Sequence, residues 1–469
     1  MPQNFLACDR DQELLLPPNL RDWLPDDHFA WFVLDAVEAM DLKAFYAAYR
    51  ADGHGRAAHE PRMMVALLLY AYARGERSSR QIERNLQEDI AYRVIAATAT
   101  PDHATIARFR QRHEQALAEL FGEVLALCAK AGIAKPTVLC VDSTKLHANA
   151  SRDATRSYEQ LAREILEEAD QVDAAEDEQF GASRGDELPL ELRTGDGRRK
   201  WLADAKRQLD EQRAKEAKPI PKARPERVKE AKRRLDEELF VEQRANELYE
   251  SYRAHGLMKN GRRLGRHSPP KPYTPPATPQ GKVNVSDPDS TLVKSRQGFI
   301  QGYSAQAVVN EQQVVITAEL HSTGTDFGQL GPMVDKALDE LKNAGVEDAP
   351  DVVLADAGYW HTEQIEALGA RGTTVLIPPD SSNRKGKRPG WDKGLYAFMR
   401  RVLETDQGHE LYVKRKATIE PVFAQMKFNR RMGRFQRRGR SACRSEWRLI
   451  AATHNLLKLH RHEIALTAA

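Results

Sequence analysis

Three carboxylates stand where chemistry would need them. Asp142 follows the apolar run Thr137-Val-Leu-Cys-Val141, and Asp356 follows Asp351-Val-Val-Leu-Ala355. Glu420 lies in Ala417-Thr-Ile-Glu-Pro-Val-Phe-Ala-Gln-Met-Lys427, a helix-like stretch with basic residues on both sides. Short β-branched runs ending in an acid read as buried strands that carry a carboxylate to a sheet edge. Carboxylates left unpaired in a core are costly, so acids gathered there usually hold a cation. Two strand-end aspartates and a helix glutamate form a hard-oxygen set that suits paired Mg²⁺ ions in phosphodiester chemistry. The class implied is a nuclease or polynucleotidyl transferase.

Such a site needs strands to carry the aspartates and a helix to bring the glutamate. Gly298 to Val309 and Gln313 to Leu320 flank Asn310-Glu311 and read as a hairpin. A helix from Gln329 to Ala344 follows, with Leu330, Met333, Val334, Ala337 and Leu341 on one face. The Asp356 strand, a helix near Thr362 to Ala370 and a strand at Thr373-Thr-Val-Leu-Ile-Pro378 come next. With the Asp142 strand in front, the order is that of a ribonuclease H-like α/β core, a mixed five-stranded sheet flanked by helices. Pro421 costs little only in a helix's first turn, so Thr418 is expected to cap that helix, with Glu420 near its positive end.

The rest of the chain sets the context. The 469 residues suffice for two or three domains, and the net charge of +3 hides a basic end. From Arg384 to His462 there are 21 Lys and Arg against 6 Asp and Glu, which suits a polyanionic partner. Residues 1–132 read as an all-α domain for DNA binding or dimerisation. Within it, Arg62 to Ala73 is apolar almost all round, Ser78 caps a helix, and His103 to Arg112 follows a Pro-marked turn. That last pair resembles a helix-turn-helix with Arg108, Arg110 and Arg112 on its second helix; a packing bundle is the alternative. Residues 133–150 hold the first core strand. Residues 151–280 are a charged helical insertion, with disorder expected near Gly181 to Gly197 and a stiff Pro-rich linker at Ser268 to Pro279. Residues 281–469 complete the core and add basic helices. Cys8, Cys128, Cys140 and Cys443 lack Cys-x-x-Cys spacing, which argues against a zinc or disulfide framework. No signal peptide or membrane span is expected, so the chain reads as soluble and cytoplasmic.

Val141-Asp-Ser-Thr-Lys-Leu-His-Ala-Asn-Ala-Ser151, Ala355-Asp-Ala-Gly-Tyr-Trp360 and Tyr412 to Lys427 resemble the DDE transposases of bacterial insertion sequences. Ser78-Ser-Arg80 and Pro101 to Arg110 look like that family's N-terminal domain, and Ala452 to Leu459 like its closing helix. The resemblance covers most of the chain outside the charged insertion. It implies that Asp142, Asp356 and Glu420 are the catalytic acids and hold two Mg²⁺ ions, with Mn²⁺ able to substitute. A related subgroup spaces its third-acid signature as Tyr, two residues, Arg, three residues, Glu, six residues, Lys. Here Tyr412, Arg415 and Lys427 fit in part, but four residues separate Arg415 from Glu420, so either Arg415 or Lys416 takes the arginine role. Arg415, Lys416 and Lys427 would hold phosphates, and Trp360 either stacks on a displaced base or packs in the core. His147, just past the first strand, either approaches the metals or is structural. Asp326 reads as a helix-start acid, Asp335 as solvated, and Asp287 and Asp289 as turn formers. The implied partners are double-stranded element ends and target DNA, met by a homodimer, in the cytoplasm and on the nucleoid.

Overall fold

Val138 to Val141 are buried on both faces, the mark of a central strand. The computed structural model describes residues 19–49, 58–164, 220–221, 223–255, 281–295, 298–322, 324–380 and 393–467. In it, β1 (Val138–His147) does not end at Asp142. Residues 302–310 of β5 (Gly298–Asn310) pair with it antiparallel, Asp142 opposite Ala307 and His147 opposite Gly302, and so carry it to His147. The approach is close enough that a Cβ at position 302 would collide with the Leu146 carbonyl, which is why glycine stands there. On the other side β1 meets β7 (Val352–Ala355) in parallel, with Val141 opposite Ala355. Asp142 and Asp356 are therefore the next residues of two adjacent parallel strands.

β8 (Thr374–Leu376) extends the parallel side, and β6 (Val315–His321) pairs antiparallel with the outer edge of β5. The mixed sheet thus runs β6-β5-β1-β7-β8. A sixth strand absent from the sequence reading, β4 (Thr291–Ser295), pairs with the start of β5. β2 (Thr155–Ser157) and β3 (Lys282–Asn284) form a small antiparallel pair where the chain leaves and rejoins the insertion. Leu161, Val228, Ala231, Leu235, Val283 and Val285 pack there, with α8 (Arg224–His255) as the long charged helix. The segment expected to be disordered near 181–197 and the Pro-rich stretch 268–279 lie outside the described residues.

The N-terminal part is helical: α1 (Phe29–Glu38), α2 (Lys43–Tyr46), α3 (Pro61–Ala73), α4 (Ser79–Glu88), α5 (Ile90–Ile95), α6 (His103–Arg112) and α7 (Glu114–Lys130). α3 buries every residue from Met64 to Ala73, and Ser78 caps α4 by accepting from the Gln81 amide (3.4 Å). On the sheet, α9 (Leu330–Asn343) buries the apolar face read from its sequence, and α10 (Thr362–Ala370) precedes β8. Next come α11 (Gly394–Glu404), α12 (Asp406–Ala424), a π-helical turn (Gln425–Asn429) and α13 (Arg440–Thr467). α13 packs on α3, α7 and β6, so the apolar residues of the N-terminal helices and of the sheet form one continuous buried cluster. Buried Glu319 of β6 ties this helix down, accepting from Arg444 Nε (2.7 Å) and Nη2 (2.6 Å). Among the described residues no helix is long and apolar enough to cross a membrane.

Candidate active site

β6, β1 and β7 run in one direction, so their C-terminal ends share an edge, the usual place for a site in an α/β sheet. Asp142 Oδ1 accepts from the Ser143 amide (2.7 Å), and Oδ2 accepts from Arg415 Nη1 (2.7 Å). Burial pushes the Asp142 carboxyl up to about 6; the Asp356 charge adds to this, and Arg415 opposes it. Asp356 Oδ1 accepts from the Gly358 amide (2.9 Å), and burial followed by the Asp326 charge raises its carboxyl as well.

Asp326 corrects an expectation. It caps no helix by side chain: its Oδ1 accepts from Lys145 Nζ (3.3 Å) and Gln306 Nε2 (3.4 Å), and it faces Asp356 across Gly358. Lys145, on β1, also reaches Ser304 Oγ (2.7 Å) and Ser143 Oγ (3.0 Å). Fully buried Tyr359 lies beneath these acids, and burial with their three charges holds its hydroxyl well above its ordinary range. The sheet direction was the one signal for Asp326: it follows β6 at the same edge where Asp142 leaves β1.

Glu420 comes from α12, but not from its first turn. Thr405 is the N-cap, Thr418 is buried mid-helix, and Pro421 stands inside the helix. Proline there removes the donor that the carbonyl four residues back would accept from. Gln313 Nε2 replaces it, donating to the Ala417 carbonyl (3.0 Å), which is how the helix runs through Pro421. Glu420 is thus near the C-terminal end of its helix, and the dipole argument for its charge does not apply. Its side chain is 49% exposed and lies 4.0 Å from Arg415 Nη2, so one buried guanidinium spans Asp142 and Glu420. At the irregular spacing it is Arg415 that faces the acids, while Lys416 is exposed.

Lys427, in the π turn, donates to Thr144 Oγ1 (3.0 Å) and the Lys145 carbonyl (3.1 Å), fixing the end of α12 to β1. Trp360 is 4% exposed and stacked on Tyr396 (centroids 4.9 Å), so it packs in the core and does not meet a base. His147 is the last residue of β1 and bridges to Arg434; burial and the charges of Arg434 and Lys427 lower its pKa. Arg110 is buried: its Nη1 donates to the Arg77 carbonyl (2.6 Å) and to Tyr72 Oη (3.3 Å), so it cannot reach DNA. Arg108 and Arg112 are exposed on the same helix, Arg112 over the Tyr49 ring. Asp335 is a surface partner of Arg371 (2.6 Å). Asp287 does close a turn, to Ser290, but it is also fully buried, accepting from Tyr303 Oη (2.8 Å) and the Gly439 amide (3.2 Å). Asp289 pairs with Arg234 and accepts from the Arg440 amide (2.8 Å).

Among the described residues no three His, Cys, Asp or Glu side chains converge as a formed cation cage. Arg415 stands between Asp142 and Glu420, paired with the first and 4.0 Å from the second. The donor set still fits a hard divalent cation: the carboxylates at the edge are desolvated and raise one another's proton affinity.

A family model described as Transposase domain (DUF772) matches residues 18–112, the helices α1 to α6. One described as Transposase DDE domain matches residues 387–460, which contain Arg415, Glu420 and Lys427. No curated protein and no solved structure matches the chain. The two matches support a DNA substrate and transposase or endonuclease activity, in a family that generally uses divalent metals. A segment similar to a transposase domain near one end of the chain and one similar to a transposase DDE domain near the other, in the expected order, are consistent with an insertion-sequence DDE transposase.

Proposed function

We propose that the chain binds the ends of its own insertion sequence, cleaves phosphodiester bonds there by hydrolysis, and joins the freed 3′-hydroxyls to target DNA. The observation that carries this reading is the register at the sheet edge. Val141 lies opposite Ala355, so Asp142 and Asp356 leave adjacent parallel strands side by side, and Arg415 links Asp142 to Glu420. The strand order β6-β5-β1-β7-β8 with antiparallel β5 supports a ribonuclease H-like core. Asp142, Asp356 and Glu420 are the residues that would hold two Mg²⁺ ions, with Mn²⁺ able to substitute. Bound there, such ions supply positive charge to the attacking and leaving oxygens of an in-line displacement.

The chain's own groups do the rest. Arg415 offsets the Asp142 charge, and Lys416, which is exposed, would meet a phosphate. Lys427 holds the glutamate-bearing helix to β1 at Thr144. Residues 1–132 serve recognition, with Arg108 and Arg112 as outward DNA contacts, and 281–469 with 133–150 serve chemistry. Two element ends call for two sites, hence a homodimer on DNA, acting at the nucleoid in the cytoplasm.

The test is a plasmid carrying this gene with its native flanking DNA, incubated with the purified protein and Mg²⁺ beside an Asp142→Asn control. Metal-dependent breaks at defined flanking positions, absent in the control, are expected. The Arg415–Asp142 pair favours one second reading, a catalytically silent DNA-binding descendant. Binding to the same DNA without breaks would select it.

A further inference from the structure

The segment Phe428-Asn-Arg-Arg-Met-Gly-Arg-Phe-Gln-Arg-Arg-Gly-Arg440 contains six arginines and no acid. Its residues divide sharply between inside and outside. Arg430, Met432 and Phe435 are buried, whereas Phe428, Arg431, Arg434 and Arg438 are exposed. Phe428 is 76% exposed, the most exposed large apolar side chain among the described residues. It sits in the π-helical turn, a distortion often found at functional sites, directly after Lys427.

The backbone behind these side chains is held from within. Arg77 donates to the carbonyls of Arg434 (2.6 Å) and Arg431 (3.0 Å), and pairs with buried Glu446 (2.8 Å). Glu446 in turn accepts from the amides of Gln436 (3.0 Å) and Arg437 (3.1 Å). Main-chain bonds between Gly433 and His147 (3.1 Å) and between Phe435 and His147 (2.9 Å) sew the segment to the end of β1. The same strand that carries Asp142 therefore positions this ridge, and no carboxylate among the described residues pairs with Arg431, Arg434 or Arg438. Arg438 Nε is held on the Asn149 carbonyl (2.8 Å), and a row of cations without carboxylate partners among the described residues, with one bare aromatic ring, suits a nucleic acid strand: cations for phosphates, a ring for a base face.

We infer that Phe428, framed by Arg431, Arg434 and Arg438, is a stacking point for an unpaired nucleotide on the DNA path beside the acidic edge. This rests on the DNA transposase reading and adds to it a base contact that Trp360, buried against Tyr396, does not offer. Lys427 meets β1 two and three residues past Asp142, which sets Phe428 beside the acidic edge.

The experiment measures fluorescence anisotropy of the full chain, without divalent ions, on a labelled duplex and on the same duplex with one unpaired thymine. The wild type should prefer the unpaired site by roughly tenfold. Phe428→Ala should erase that preference while leaving affinity for the paired duplex within about twofold, and Phe428→Trp should keep it. Arg434→Gln and Arg438→Gln should weaken both complexes alike and each lower the salt slope by about one. No wild-type preference, or a preference that survives Phe428→Ala with unchanged melting, overturns the stacking role. Unchanged salt slopes overturn the role of the arginines. A wild type that binds neither duplex overturns the transposase reading itself.

Discussion

Asp142 is subject to two opposed forces, burial and Arg415, and their balance can be measured. Burial wins in the structure: the folded carboxyl is raised from 3.8 to about 6 despite a guanidinium at 2.7 Å. Between those two pH values the folded chain keeps a proton that the unfolded chain has lost, so stability falls as pH rises through this window. The loss is about 1.36 kcal/mol per unit, hence about 3 kcal/mol by pH 7. Asp142→Asn removes this dependence and leaves every other titrating group in place. Urea unfolding of both proteins in EDTA from pH 4 to pH 7 isolates it. The stability of the variant relative to wild type should grow by about 2.4 kcal/mol across the range, whatever constant offset the amide introduces beside Arg415. Saturating Mg²⁺ should cancel most of the trend, because a bound cation favours the carboxylate. A flat difference, or one that shrinks with pH, would mean that Arg415 outweighs burial and that Asp142 is a satisfied ion pair.

Glu319→Gln should cost about 3 kcal/mol, because it removes the buried carboxylate that half-buried Arg444 grips twice, while Arg448 keeps Glu340 (2.6 Å). Burial pushes Glu319 up, but Arg444, Lys336 and Arg448 more than offset this and bring it to about 2. Its contribution is therefore complete above pH 4.5 and lost as pH falls through about 2, which wild-type acid unfolding should show and the variant should not. Asp326→Asn should slow cleavage and lower the Asp356 carboxyl's pKa, read by carbon NMR titration; an unmoved Asp356 would show that the two acids do not face each other. Burial lifts the Cys128 and Cys140 thiols to about 12, so iodoacetamide at pH 8 should leave both unmodified in the native chain. Labelling of either without unfolding would contradict that burial.

Local pattern carried much of this molecule into view. Short unbroken apolar runs announced β1 and β7, and helical spacing announced the face of α9, because burial of these elements depends on local residue pattern. Partners distant in sequence were what escaped. Pro421 looked like a helix start because nothing near it in the chain reveals that Gln313 supplies the missing donor. Trp360 looked available because Tyr396, which covers it, lies on another helix. Arg110 was legible after all: Ile106, Phe109, Arg110 and His113 lie on one face at helical spacing, and that face is buried. Asp326 needed the direction of β6, a property of the sheet and not of any local stretch.

The Arg77–Glu446 pair has a consequence for how the molecule is made. Arg77 lies in the first matched segment and Glu446 in the last, so the charge synthesised early waits for its partner until most of the chain has emerged. Until then the Arg77 guanidinium has no buried anion, and the carbonyls of Arg431 and Arg434 that it holds do not yet exist. The arginine ridge is thus assembled only in a completed polypeptide, and a chain interrupted before Glu446 lacks the clamp that shapes it. Limited proteolysis of a chain stopped at residue 440 should cut within 428–438, where the full-length protein resists. For the DNA contact proposed at the ridge, this is a form of quality control: a chain without Glu446 lacks the frame on which that contact depends.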